Sequence, residues 1–169
     1  MKRRILVLAA SLLTVPLVAA TVSSGSSDGR RVLEFDVMAP VGEPFTGATN
    51  AIRGVPGGGL PWEIDDATGE LRSDGRVEVE VDGLVLARRA PVPAALQGTN
   101  PIASFKAIVS CLTSDGSAPA TLNVSTALAP ATSAGDAKIE ASVELPSPCF
   151  APIVFVTSPG GAWFAVTGR

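Results

Sequence analysis

Valine alternates with charge from Arg76 onward. Arg76-Val77-Glu78-Val79-Glu80-Val81-Asp82 puts Val77, Val79 and Val81 on one face of an extended chain and Glu78 and Glu80 on the other, the period-2 signature of a strand with one buried face. Asp82-Gly83 follows, and such a pair supplies the positive-φ corners of a two-residue hairpin turn. The pattern predicts a hairpin over 76–87, with Val81 facing Leu84 and Val79 facing Leu86 on the core side. A second hairpin is expected over 153–167, where Ser158-Pro159-Gly160-Gly161 offers Pro and then Gly as a type II turn requires. Its two strands are apolar on both faces, which marks central strands covered on both sides. A face left bare in the monomer would instead be an assembly or ligand patch.

Further strands are expected over 33–38, 60–64, 104–112, 121–127 and 137–145, each short, rich in apolar residues and bounded by turn signals. No internal repeat and no long helical stripe occurs, and Pro91 and Pro93 limit the alanine-rich 91–98 stretch to one helical turn. The texture predicts a single all-β domain, an antiparallel β-sandwich with a β-barrel as the alternative. In this reading Glu63-Ile64-Asp65-Asp66-Ala67-Thr68-Gly69-Glu70 is an acidic turn leading from the Trp62 strand into the valine hairpin.

The N-terminus changes the setting. Met1-Lys2-Arg3-Arg4 precedes an apolar run of 16 residues, Ile5 to Ala20, ending in small residues. This is the layout of a cleaved secretory signal peptide over 1–20, followed by a small, polar leader over 21–31 and the β-domain over 32–169. A membrane anchor is the rival, but spanning takes about 20 apolar residues and Ser11, Thr14 and Pro16 interrupt this run. No cysteine follows the run to carry a lipid, no later run is long enough to span, and the last residues hold no attachment tail. The expected product is extracellular and free of the membrane. Its Ala-, Gly-, Val- and Arg-rich usage reads as a high-GC bacterial genome, in which the Asn123-Val124-Ser125 glycosylation pattern stays idle.

Removing residues 1–20 takes three of the 13 basic residues and none of the 16 acidic ones, leaving a net charge of −6. That balance argues against nucleic acid and anionic membranes, which need clustered Lys and Arg. A mature chain of 149 residues buries about 68–70% of its unfolded surface, enough for a core without a metal. Cys111 and Cys149 are the two cysteines. In an oxidising compartment they pair, stapling the 104–112 strand to the start of the 153–157 strand.

Candidate chemistry is defined mostly by subtraction. The chain holds no histidine and no tyrosine, so a Ser-His-Asp triad, a Cys-His dyad and an imidazole zinc site are excluded. Gly25-Ser26-Ser27-Asp28-Gly29 fits a nucleophile elbow in spelling only, because no base accompanies it. Ser104 and Lys106 share a strand face, where a solvated lysine beside a serine is the plain account. Gly57-Gly58-Gly59 lies between Pro56 and Pro61 without the Lys-Ser/Thr or the following helix of a phosphate loop. It reads as a loose bend near Trp62.

Carboxylates remain. Glu63, Asp65, Asp66 and Glu70 are the candidates for a glycoside-hydrolase-like pair, and Asp65, Asp66 and Asp74 for calcium. Trp62 with Asp65 and Asp66 is the candidate binding patch. The reading that survives best is a secreted, non-enzymatic β-domain without cofactor, binding a surface ligand or another copy of itself. A carboxylate-based secreted hydrolase is the alternative.

Overall fold

The alternation over 76–82 is realised residue by residue: Val77, Val79 and Val81 are buried while Glu78, Glu80 and Asp82 are exposed. The computed structural model describes residues 29–168. The expected signal peptide and residues 21–28 of the expected leader lie outside them. In chain order the strands are β1 (Arg31–Phe35), β2 (Ala39–Pro40), β3 (Trp62–Glu63), β4 (Asp66–Arg72), β5 (Arg76–Asp82) and β6 (Val85–Leu86). They continue as β7 (Ser104–Asp115), β8 (Ala118–Ser125), β9 (Ala129–Pro130), β10 (Ala137–Ser142), β11 (Phe150–Thr157) and β12 (Trp163–Val166). One 3₁₀ turn, Ala94–Leu96, lies between β6 and β7 where the prolines permit it.

Two antiparallel sheets form the sandwich. The first has the order β1-β4-β5-β10; the second has the order β2-β12-β11-β7-β8, with β9 also paired to β7. They do not close into a barrel, and β3 pairs with β6 as a separate ribbon. Between the sheets, Leu71, Val77, Val79, Val81 and Ile139 meet Phe105, Val109, Val154 and Val156 in one core. Trp62 stacks on Phe164 with ring centroids 3.9 Å apart, and Phe105 stands edge-to-face with both rings, contacts that add to the burial itself. Cys111 on β7 is bonded to Cys149, just before β11, as the two-cysteine arithmetic requires.

The hairpin expected over 76–87 does not form. β5 pairs with β4 and β10, while Val85 and Leu86 pair with β3. Only Gly83 takes positive φ, at +64°, whereas a two-residue reversal needs it at Asp82 as well. The chain therefore leaves the sheet instead of folding back, although Leu84 and Leu86 are buried as expected. The true hairpin lies one strand earlier: β4 and β5 are joined through Ser73-Asp74-Gly75, with Gly75 at φ +88°. The acidic segment expected as a turn is thus in part a strand. Ala67, Gly69 and Leu71 point inward along β4, Phe35 covers the bare Gly69 backbone, and Thr68, Glu70 and Arg72 point out.

The 153–167 hairpin is present. Its positive φ falls on Gly161 (+91°) rather than Gly160, so the corner is a type I turn closed by a left-handed glycine. Residues 154–157 and 163–166 are all buried, so both faces of these strands are covered. The inner cover is the first sheet. The outer cover is the segment 41–58, which starts beside β12 and reaches β8.

Three contacts hold that cover down. Trp163 N–H donates to Pro56 O and Gly58 N–H to Trp163 O, each at 2.8 Å, so the glycine run pairs with β12 like an extra strand. Arg53 Nη1 donates to Ser110 O and Ala151 O at 3.0 and 2.9 Å, capping carbonyls left by a bulge in β11. Asn123 Nδ2 donates back to Arg53 O at 2.9 Å. Gly57 and Gly58 are buried. A Cβ on Gly57 would collide with the Phe45 carbonyl, and one on Gly58 would press on Phe164 at 3.0 Å. The expected loose bend is therefore a packed rail, and its first two glycines are there for space.

Candidate functional site

The open face of the first sheet is where chemistry gathers. Antiparallel registry brings Glu34 of β1 opposite Glu70 of β4, Glu70 opposite Glu78 of β5, and Glu78 opposite Glu140 of β10. Four glutamates thus form one row across all four strands. The next row sets Thr68 opposite Glu80 and Glu80 opposite Lys138, and Asp66 faces Asp82 beyond it. Like charges directly opposite one another destabilise a sheet, so cations are expected among them.

The cations sit at the margins. Arg31 bonds Glu34 and Glu70 at 2.7 and 2.8 Å, Arg72 bonds Glu70 at 2.6 Å, and Lys138 bonds Glu140 at 2.6 Å. The Arg72 hydrogen bond, reinforced by Arg31, holds the Glu70 carboxyl below its ordinary pKa. Glu140 raises the Lys138 ammonium, and Glu34, then Glu70, raises the Arg31 guanidinium. Among the described residues no cation lies within ion-pair distance of Glu78 or Glu80. A groove of about 620 Å³ runs over this face, lined by Glu34, Asp36, Glu70, Glu78, Glu80 and Lys138 among others. It is open to solvent rather than enclosed.

The residues singled out from sequence go to different places. Trp62 is 3% exposed and committed to the aromatic stack, so its ring offers no platform to a ligand. Glu63 is bonded to the side chain and backbone of Arg88. Asp65 and Asp66 are exposed where β4 begins, and Glu70 lies further along the strand between its two arginines. Asp74 sits in the β4–β5 turn, accepting from Gly29 N–H and Arg76 N–H at 3.1 Å each, which lowers its pKa, Arg76 contributing most. The length of β4, about 20 Å at 3.4 Å per residue, separates Asp74 from Asp65 and Asp66.

These acids therefore do not converge. Among the described residues no group of three or more His, Cys, Asp or Glu is placed to hold a metal ion, and no helix is long and apolar enough to cross a membrane. What sequence reasoning missed is the glutamate row. Glu78 and Glu80 were visible as the polar face of β5, but their alignment with Glu70 required β4 to be a strand. The signal was there in the Ala67, Gly69, Leu71 alternation, weakened because alanine and glycine bury little surface. In comparisons with known proteins, no family model, no curated protein and no solved structure matches the chain.

Proposed function

We propose that the chain is an exported, non-enzymatic interaction domain, and that the open face of the first sheet selects a cationic partner, a Lys- or Arg-rich extended segment. One observation carries this reading: the aligned row Glu34, Glu70, Glu78 and Glu140, with Glu80 beside it. A sheet tolerates such a row at a cost, and an extended cationic chain laid along the groove would offset it. The dispersal of Glu63, Asp65, Asp66 and Glu70, two of them already in ion pairs, supports binding over hydrolysis. The disulfide supports an oxidising, extracellular setting.

The test is a titration of isotope-labelled protein with a lysine oligomer at low and high salt. Amide shifts concentrated on β4, β5 and β10, weakened by E78Q/E80Q and by salt, support the proposal. Shifts spread evenly over remote acids such as Asp115 and Glu144, or unchanged in E78Q/E80Q, overturn it.

A further inference from the structure

Sheet edges are templates for further strands, and proteins guard them with charge, proline or brevity. Three of the four edges here are guarded. β1 carries Arg31 and Glu34, β10 carries Lys138 and Glu140, and β2 is two residues long, ends in Pro40 and is continued by the glycine rail. β8 differs. It is eight residues long, its outer side is unpaired among the described residues, no charged residue occurs anywhere from 116 to 135, and its one proline, Pro119, stands at the second position and leaves 120–125 unguarded.

The hydrogen-bond phase of β8 follows from one bond. Thr126 N–H donates to Ala107 O at 3.0 Å, and 107 and 126 continue the registry in which Ile108 faces Ser125. Antiparallel ladders alternate, so Val124, Leu122 and Ala120 bond β7 while Ser125, Asn123 and Thr121 turn their N–H and C=O outward. Pro119 falls on the outward set, the one phase in which its missing N–H costs the ladder nothing. On the inner face of the same strand Leu122 is 46% exposed, with Val124 half-buried beside it. Leu128, 54% exposed, follows just beyond the strand.

We propose that β8 pairs with β8 of a second copy, antiparallel about a two-fold axis at Asn123, joining the second sheets of two molecules into one. In that register Thr121 meets the partner copy's Ser125, Asn123 meets its own counterpart, and Leu122 meets the partner copy's Val124. The outward N–H and C=O of Thr121, Asn123 and Ser125 are then satisfied, and the contact is the same patch on both molecules, as two-fold closure demands. The self-complementary register selects this occupant, and charge permits it. A mature chain of net charge −6 repels its copies at most approaches, and β8 is the edge where they meet without opposing charges. The inference uses the sheet opposite to the acidic face, so it and the proposed function fail independently.

The test reads mass against concentration, together with hydrogen exchange of the Thr121, Asn123 and Ser125 amides. Wild type should rise from monomer towards dimer mass, with those three amides slowing in step. T121K/S125K, which sets lysine against lysine at two exposed positions, should stay monomeric. T121K/S125E, which sets lysine against glutamate, should recover the dimer; circular dichroism establishes that each variant is folded. A wild type that stays monomeric at millimolar concentration overturns the proposal. So does a T121K/S125K variant that associates like wild type, or protection of the three amides only when an unrelated extended peptide is added.

Discussion

The outer face of β1-β4-β5-β10 meets solvent with Glu34, Glu70, Glu78, Lys138 and Glu140, whereas the outer face of β12-β11-β7 carries the buried Trp163, Phe155 and Ile108, with the segment 41–58 bonded to β12, β7 and β8 on that side. Both sheets bury their inner faces in the same core. The difference lies in what each strand can leave uncovered. Val-Glu-Val-Glu-Val places charge on its second face, and water completes it. Ile153-Val154-Phe155-Val156 has nothing polar to offer water, so the chain must supply a cover. The cover here has no ladder of its own and depends on a few close contacts with β12 and the β11 bulge.

The largest expected effect is therefore a break in that cover. In G57A the new methyl collides with the Phe45 carbonyl and approaches Val41 at 3.1 Å. The rail cannot stay against β12 without moving, and overpacking of this kind costs about 1–3 kcal/mol, with a backbone clash at the upper end. G59A meets nothing within 4 Å, and its φ lies outside the left-handed region. That substitution should be neutral, or stabilising by about 0.4–1 kcal/mol through the unfolded chain. Urea midpoints of the two variants decide the matter. Equal losses would mean that the glycine run is a plain bend after all.

Much of this comparison was legible beforehand, and the misses have physical causes. Uninterrupted apolar strands reported that β11 and β12 are covered twice, but periodicity within a strand says nothing about which distant segment does the covering. That depends on Arg53 reaching Ser110 and Ala151 across 57 and 98 residues of chain. Asp82-Gly83 and Asp74-Gly75 carry the same turn dipeptide, and only the second lies in a reversal. Asp136 Oδ1 accepts the Gly83 N–H at 3.1 Å from 53 residues away, a tertiary contact that local turn chemistry does not include. The candidate site suffered from the same error. With β4 read as a turn, the acids looked like a cluster, whereas a strand spreads them along its length.

Acid should act on the open sheet rather than on the cover. The Glu70 and Asp74 carboxyls are held below their ordinary pKa, Glu70 by Arg72 and then Arg31, Asp74 by backbone N–H groups. A folded-state pKa below the unfolded one gives stability that is present above the unfolded value, about 4.3 for Glu and 3.9 for Asp, and is lost as pH falls through the folded value. Thermal midpoints should thus change little from these groups between pH 7 and 5 and decline below about pH 4. E70Q should show a shallower decline, with its rail contacts unchanged by near-ultraviolet dichroism. A slope identical to wild type would mean that the Arg31–Glu70–Arg72 cluster contributes no acid sensitivity.

The smallest effect probes the cover from beneath. Ser110 is fully buried on the face that 41–58 covers, and its Oγ has no hydrogen-bond partner, while its carbonyl serves Arg53. A buried hydroxyl without a partner forfeits its hydration, a penalty of about 1–3 kcal/mol, so S110A should be neutral or stabilising by up to about 1 kcal/mol. Thr167 supplies the contrast: it is also buried, but its Oγ1 accepts the Val154 N–H at 2.9 Å. T167V should then lose about 1 kcal/mol or more by stranding that donor. Opposite signs in paired denaturation curves are the expected outcome. If S110A costs as much as T167V, the Ser110 hydroxyl is satisfied in solution, and the cover above it admits water that a dry, packed rail would exclude.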